Sequence, residues 1–240
     1  MKTTKKFFFA LIALFCAYNL SAQTADEIIS KHLEASGGKG FLSGLTSVYY
    51  EATMDVMGMQ ATVKNTTLNG KGTRQDVDIM GSIMTTCYND KGGWSINPFM
   101  GGTTAEDMPE TQYNSGKDNI YLGAPFLNYA EKGYKAEFNG TETVMDVTAY
   151  KVTMTSPSNN VSVYYFDPNT YYMIKSVEQA DMQGQMVENV MRYSDYRNTE
   201  GYIMPFKIDM DMAGGQMSMT LTVSKVELNQ PVNDSIFIKQ

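Results

Sequence analysis

The sequence predicts a mainly β fold with roughly ten or eleven antiparallel strands, which are enough to curl into a barrel or half-barrel. Apolar and polar residues alternate with a period of two over most of the chain from Val48 onward. Turn-forming Gly, Asn and Pro residues separate these runs. A clear helical period is confined to one stretch near the N-terminus. We therefore expect one antiparallel sheet with an N-terminal helix.

The first 22 residues have the pattern of a secretory signal peptide. A lysine-rich start precedes an apolar run from Phe7 to Tyr18 and the small residues Ser21 and Ala22. The run is too short to span a bilayer, and we expect cleavage after Ala22. Cys16 follows Leu and Phe instead of small residues, which disfavours a lipoprotein signal. Residues 23–240 are expected to form one domain without a membrane-spanning segment.

Charge and composition exclude several classes of function. The net charge of the 240 residues is −7, and loss of the three leader lysines leaves 16 basic against 26 acidic residues. So acidic a surface argues against binding nucleic acid or anionic lipid head groups. His32 is the only histidine, and Cys87 is the only cysteine after the leader, so a zinc site or Cys-His nucleophile would lack its usual groups. We expect a monomer that is not an enzyme and needs no cofactor or metal.

The N-terminal helix begins at a capping box. Thr24 and Glu27 are spaced so that each side chain can satisfy a free backbone N–H of the first turn. His32 lies on the apolar stripe of this helix, so we expect it to be a core or boundary residue. The helix is expected to end at Gly37 and Gly38 after about three turns.

Strand patterns fill most of the remaining chain. Asn69-Gly70 is a hairpin signal of the type I′ kind, and Cys87 is expected to be a buried, inert thiol on a strand. Residues 99–130 interrupt the pattern with Gly and Pro, and we expect them to form an excursion from the sheet with a turn or two of helix within 119–129. Strand patterns are found over residues 48–63 with a turn at 57–58, and over 73–79, 82–88, 94–96, 134–138, 150–155, 161–166, 171–178, 186–196, 202–212 and 217–228.

The last hairpin has the clearest alternation and an unusual content of methionine. Its second strand continues the same apolar face after a turn at residues 213–215, and we expect the acidic pairs Asp209/Asp211 and Asp76/Asp78 to face solvent. Methionine adapts to irregular shapes, which suits a surface that receives a variable apolar guest, although an ordinary sheet core is the alternative. The apolar face carries Tyr202, Met204, Phe206, Ile208, Met210, Met212, Met217, Met219, Leu221 and Val223.

Several short motifs follow one another along the mature chain. They are DKGGWSINPF at 90–99, YYFDPNT at 164–170, DYR at 195–197, GYIMPF at 201–206 and a closing segment at 229–237. In this order they resemble the LolA-type lipoprotein carriers and the related outer-membrane lipoprotein-sorting proteins.

The resemblance implies a curved, unclosed antiparallel half-barrel whose apolar concave face is covered by a helical lid, and it assigns residues 99–130 to that lid. It also implies a periplasmic carrier that shelters acyl chains of lipoproteins, or a related lipid, between inner- and outer-membrane sorting components. In LolA a basic residue after the second strand holds the lid. Lys71 and Arg74 both lie near that place, and because the usual flanking prolines are missing, both remain candidates for the latch.

These expectations define a candidate site for an apolar ligand. Trp94, Phe99 and Phe126 are predicted lid and rim contacts. The floor is predicted to comprise Met54, Val56, Met204, Phe206, Ile208, Met210, Met212, Met217, Met219 and Leu221.

Two other functions are compatible with parts of the pattern. The same fold could serve as an envelope sensor that binds lipoproteins or a protein partner without carrying them. The pairs Met57/Met59, Met210/Met212 and Met217/Met219 could instead hold Cu(I), which soft thioethers select. Against copper, these pairs continue long apolar stripes and do not obviously converge on one point.

Overall fold

The computed structural model of the chain describes residues 23–56, 58–182 and 185–239. The predicted signal peptide and the predicted turn residue Met57 lie outside these ranges. Within them, no helix is long and apolar enough to cross a membrane.

The described chain forms a single open antiparallel sheet. Its order is β6-β5-β4-β3-β2-β1-β13-β12-β11-β10-β9-β8-β7, so the pairing of β1 with β13 joins the two halves of the chain. The strands are β1 (Ser47–Val56), β2 (Met59–Leu68), β3 (Gly72–Ile79), β4 (Ser82–Asn89), β5 (Gly93–Ile96), β6 (Glu106–Asp107), β7 (Lys135–Val144), β8 (Val147–Thr155), β9 (Val161–Phe166), β10 (Met173–Met182), β11 (Gln185–Thr199), β12 (Tyr202–Met212) and β13 (Met217–Leu228).

The predicted fold class is confirmed, and the predicted number of strands was too low. The described sheet has thirteen strands and is unclosed, since β6 and β7 stand at opposite ends of its order. The two-residue strand β6 lies inside the segment expected to be lid, and it pairs with β5 through Trp94 and Ser95. So short a strand has no periodicity that could be read from sequence.

Three helices accompany the sheet. The predicted N-terminal helix is α1 (Ala25–Ala35), and the Thr24 hydroxyl accepts a hydrogen bond from the Glu27 N–H. The Glu27 carboxylate does not complete the predicted capping box, because it forms an ion pair with Lys31 at 3.0 Å. Two helices were not predicted: α2 (Lys39–Gly44) and α3 (Glu110–Gly116).

The lid is helical earlier than predicted. It consists of α3, a 3-10 turn at Lys117–Ile120 and then irregular turns as far as residue 133. The prediction of helix within 119–129 was therefore wrong beyond Ile120. Gly123 has a φ of 78° and Pro125 lacks a backbone N–H, so neither suits a helix interior.

Helix α1 and the lid pack on one face of the sheet, here called the inner face. Their buried side chains, including Ile28, Leu33 and Phe126, meet Val152 and Phe166 of β8 and β9 in the largest core cluster. Directly paired residues of neighbouring antiparallel strands point to the same face of the sheet. The strand registers therefore show whether each strand residue faces the inner or the outer side. The opposite, outer face has its own small clusters, one of them around Cys87, Trp94 and Phe237.

Candidate functional site

The last hairpin and its neighbours bring a continuous row of apolar side chains together on the inner face. Met54 pairs with Leu221 and Val56 with Met219. The row then crosses β13, β12 and β11 through direct pairs between neighbouring strands. We call this row the methionine strip: Met54, Val56, Met191, Ile208, Met210, Met212, Met217, Met219 and Leu221.

The methionine strip is covered unevenly along the strands. Leu221 is buried, and so is Phe206 farther along β12 toward α1. Met217 at the hairpin end is 44% exposed, and the remaining methionines of the strip are half-buried. Next to the strip at the same end of the sheet, Met59 of β2 pairs with Val56 and is 55% exposed. The protein's own side chains therefore fill the α1 end of the inner face and leave the hairpin end partly open.

Met204 lies at the junction of these two regions. Together with His32, Leu33 and Phe126 it lines a cleft of about 150 Å³ beside the end of α1. The predicted floor residues Met204 to Met219 thus follow one face, from this cleft to the open hairpin end.

Trp94 is not on the inner face. It pairs with Cys87, and Cys87 with Arg74, so all three lie on the outer face. The indole Nε1 donates to the carbonyl oxygen of Phe237 at 3.0 Å, and Trp94 is only 5% exposed. It therefore closes the outer core beneath the C-terminal turn. Phe99 follows β5 in a 3-10 turn and is 57% exposed.

Cys87 is buried in the same outer cluster, as predicted for an inert thiol. Its Sγ lies 3.6 Å from the Phe237 carbonyl oxygen. Burial raises the pKa of the thiol to about 12, so it stays protonated at neutral pH and is a poor nucleophile.

Phe126 is the predicted lid residue that reaches the core. Its ring centroid lies 4.9 Å from those of both His32 and Tyr164 in edge-on contacts, and the ring of Phe166 completes the cluster. This aromatic cluster, Phe126, His32, Tyr164 and Phe166, ties the lid to α1 and to β9.

The lid is held at its other side by a neutral turn, and neither predicted latch residue takes this role. Asn69 Oδ1 accepts from the Leu122 N–H at 3.1 Å, and the Gly70 N–H donates to the Ile120 carbonyl at 2.8 Å. Arg74 lies on the outer face, where its guanidinium binds Asp76. Lys71 lines a surface cleft with Trp94 and Phe237.

Asn69 was recognised in the sequence only as a turn residue. Besides holding the lid, its Nδ2 donates to the Leu45 carbonyl at the end of α2 at 3.0 Å. The Asn-Gly pair predicted the hairpin correctly, but local sequence carries no signal for contacts with residues as distant as Leu122.

Removal of the Asn69 side chain is expected to loosen the lid. Asn69→Ala loses two hydrogen bonds and should lower the free energy of unfolding by about 1–3 kcal/mol. Hydrogen exchange of the Leu122 amide is the measurement, and it should accelerate. Asn69→Asp is the matched control, because it keeps the acceptor for Leu122 and loses the donor to Leu45. If the Leu122 amide exchanges at the same rate in both variants, the Asn69 side chain does not hold the lid.

Two clefts flank the lid, and both have polar side chains in their walls. The larger, about 300 Å³, lies below Asn119 and is lined on β2 to β4 by Asn65, Thr67, Thr73 and Gln75, among others. The smaller, about 140 Å³, lies between the lid and strands β8 to β10. The expectation of an apolar cavity directly beneath the lid is therefore corrected: the apolar residues of β2 and β3 stand nearer the hairpin end, and polar residues replace them under Asn119.

The acidic pairs considered in the sequence lie on the outer face with partners. Asp76 accepts from Thr85 Oγ1 at 2.6 Å besides its ion pair with Arg74. Asp211 forms an ion pair with Arg192 at 2.7 Å, and Asp209 accepts from Thr220 at 2.7 Å. Within the described ranges no group of three or more His, Cys, Asp or Glu side chains could hold a metal ion.

The fold is similar to those of solved bacterial proteins, at low sequence identity. A DUF1329 family protein from Desulfovibrio piger superposes with a TM-score of 0.61 at 11% identity, covering 89% of this chain and 97% of that one. A LolA superfamily protein from Nitrosomonas europaea gives 0.60 at 15% identity, covering 91% and 99%. A domain assigned to outer membrane lipoprotein sorting from Vibrio parahaemolyticus gives 0.58 at 14% identity, covering 89% and 95%.

These similarities confirm the LolA-like fold that the sequence motifs suggested. No family model matches the chain, and no curated protein matches it in sequence. The likeness therefore concerns the architecture of the sheet.

Proposed function

We propose that this protein is a periplasmic carrier that binds acyl chains of lipoproteins, or of a related lipid, on the methionine strip and takes part in their sorting to the outer membrane. The observation that carries the proposal is the partly exposed methionine strip on the inner face. The LolA-like fold and the signal-peptide pattern of residues 1–22 support the location. Sorting components of the inner and outer membranes would be its partners.

Burial alone can hold such a ligand. Each methylene removed from water contributes about 0.8 kcal/mol, so affinity should rise by roughly fourfold per carbon while the chain still finds apolar surface. Methionine side chains are unbranched and can repack around chains of different shape. Release then requires a competing apolar site and no chemical step.

The position of the lid determines where an acyl chain can lie on the inner face. Phe126 anchors it at the α1 end and Asn69 at the opposite side, and polar clefts lie on both flanks. An acyl chain would lie along the strip toward the hairpin end, where Met217 is most exposed.

The proposal predicts that charge on the strip abolishes binding. Met210 and Met219 are directly paired across β12 and β13, so Met210→Asp with Met219→Asp should weaken binding of a long-chain monoacylglycerol at least about tenfold, because an unpaired carboxylate is costly to desolvate. Affinity would be measured by displacement of the neutral fluorescent probe N-phenylnaphthylamine.

The matched control places the same charges on the other face. Thr62→Asp with Thr222→Asp alters exposed residues that pair with Thr53 on the outer side, and binding should be unchanged. Monoacylglycerols of about ten to about sixteen carbons should bind with increasing affinity. Absence of binding by the unmodified protein, together with no lipid in native mass spectrometry of the purified protein, would contradict the carrier function.

A sensor on the same fold is the alternative within the lipid-binding class. It would bind the same ligands and also retain a protein partner. Transfer of bound lipid to acceptor vesicles separates the two, because a carrier must release its ligand to them.

Copper binding is a second candidate because three methionines are neighbours across strands. Met191 pairs with Met210, and Met210 with Met219, so three thioethers share one patch, and thioethers select Cu(I). Near-stoichiometric copper in the purified protein, lost in the Met210→Asp/Met219→Asp variant, would favour this function over lipid carriage.

A further inference from the structure

The smaller cleft beside the lid contains a carboxylate without a basic partner. Glu178 of β10 lines this cleft of about 140 Å³, and it pairs with Ser162 of β9 and Asn189 of β11, so it faces inward. Burial raises the pKa of Glu178. Among the described residues no Lys, Arg or His nitrogen lies within 4.0 Å of its carboxylate.

The other walls of the cleft combine hydrogen-bonding groups and a second acid with the apolar side chains of Ala124, Pro125, Met154 and Val161. The lid side presents Asn119 and Asp118, and the sheet side presents Asn160, Ser162 and Tyr164. Asp118 already accepts a hydrogen bond from Tyr134, and its charge interacts with Lys132. Glu178 is therefore the acid of this cleft that is available to a ligand.

The cleft adjoins the methionine strip. Glu178 pairs with Asn189, and Asn189 is two residues from Met191 on the same face of β11. Asn189 also accepts from the Ala213 N–H at the end of β12, next to Met212. A ligand whose chain lies on the strip could thus place its polar end in the cleft.

We infer that this cleft receives the head group of the carried amphiphile, and that the head group is a hydrogen-bond donor, an amine or a hydroxyl, and not an anion. The inference rests on the proposed carrier function and specifies its ligand. The half-buried carboxylate of Glu178 can accept hydrogen bonds from an ammonium or hydroxyl group, whereas a phosphate or carboxylate head group would meet like charge. The amide and hydroxyl side chains in the walls of the cleft can also form hydrogen bonds with either an amine or a hydroxyl head group.

The test compares three amphiphiles with one dodecyl chain: dodecylamine, monododecanoylglycerol and laurate. At neutral pH and below micelle-forming concentrations, dodecylamine should bind about tenfold more tightly than laurate, since its ammonium can donate a charge-assisted hydrogen bond to Glu178 whereas the laurate carboxylate meets like charge. Glu178→Gln is nearly isosteric and should reduce the affinity for dodecylamine by about five- to tenfold. Affinity for the glycerol head should change less than about twofold, because a glutamine oxygen can still accept.

Glu188→Gln is the matched control. Glu188 is exposed on the outer face, where it pairs with Gln179, the residue after Glu178. This variant therefore removes the same charge nearby but on the opposite face of the sheet, outside the cleft. Its affinities should equal those of the unmodified protein. Equal loss of dodecylamine affinity in both variants would show a nonspecific charge effect and overturn the inference.

The outcomes separate the cleft from the carrier function. Equal affinity for all three amphiphiles, or tighter binding of laurate, overturns the inference and leaves the carrier function standing. Binding of none of the three overturns both. Thermal denaturation of each variant verifies that Glu178→Gln remains folded.

Discussion

Replacement of Phe126 by alanine is expected to lower the free energy of unfolding by about 3–5 kcal/mol, the range for removing a buried aromatic ring. The ring is 5% exposed and packs edge-on against His32, Tyr164 and Phe166. Those neighbours belong to α1 and β9, so they cannot collapse fully into the space that the ring leaves.

The loss of stability in Phe126→Ala should affect the lid before it affects the sheet. Phe126 is the lid residue of the aromatic cluster, whereas β8 and β9 retain their strand pairing without it. Hydrogen exchange should therefore accelerate at the Leu127 amide, which donates to the Gly123 carbonyl, well ahead of Val152.

Phe99→Ala provides the control because it removes the same kind of ring at an exposed position outside the lid. Its effect on stability should stay within about 0.5 kcal/mol. Similar destabilisation by the two substitutions would mean that the lid is not anchored through the aromatic cluster.

Acidification is expected to destabilise the protein through His32. Desolvation lowers the pKa of the buried imidazole to about 4, despite the opposing hydrogen bond to Tyr171. Nδ1 lies 2.9 Å from the Tyr171 carbonyl oxygen, which can only accept, so this nitrogen carries the proton of the neutral ring. The unfolded chain has the ordinary pKa near 6.5.

The direction of the change in stability with pH follows from which state of the chain binds the His32 proton. Between about pH 6.5 and pH 4 the unfolded chain binds the imidazole proton and the folded chain does not, so stability falls as the pH falls through this window. The contribution of His32 is fully present above pH 6.5 and lost by about pH 4, and a shift of this size corresponds to roughly 3 kcal/mol. Glu178 acts in the opposite direction, since its pKa is raised in the folded state.

The measurement is the difference between the protein and His32→Phe in urea unfolding at about pH 7 and about pH 4.5, which cancels the carboxylates common to both. The variant should lose less stability on acidification than the unmodified protein. Because His32 is the only histidine, its ring proton can also be titrated directly by NMR. A midpoint near 6.5 in the folded protein would contradict this account.

Local patterns were sufficient to predict most of the elements of the fold. The period of two marked the long strands and the side of the last hairpin that carries Met210 and Met219, because pleated backbone places alternate side chains on opposite faces. The cap at Thr24 and the glycines after α1 marked the helix. The motifs around Trp94 and Tyr202 pointed to the LolA-like architecture, which the structural similarities confirm.

Contacts between distant segments could not be predicted in this way. Trp94 is a large aromatic residue of the kind expected to contact an apolar ligand. However, Phe237 of the C-terminal turn, 143 residues farther along the chain, covers it on the outer face. Asn69 holds the lid through Leu122, 53 residues away. Both depend on which loops fold back over which end of the sheet.

The order and alternation of apolar residues in the sequence by themselves determined the antiparallel strands and the methionine-rich face of the last hairpin, because strand periodicity is local. Only the tertiary structure decided which parts of that face are occupied. Helix α1 and Phe126 fill one end with the protein's own side chains, polar residues stand under Asn119, and Glu178 lies beside Asn189 and the methionine strip. These placements result from the registers of strands β9 to β11 and from the path of the lid, both of which depend on packing between residues far apart in the chain.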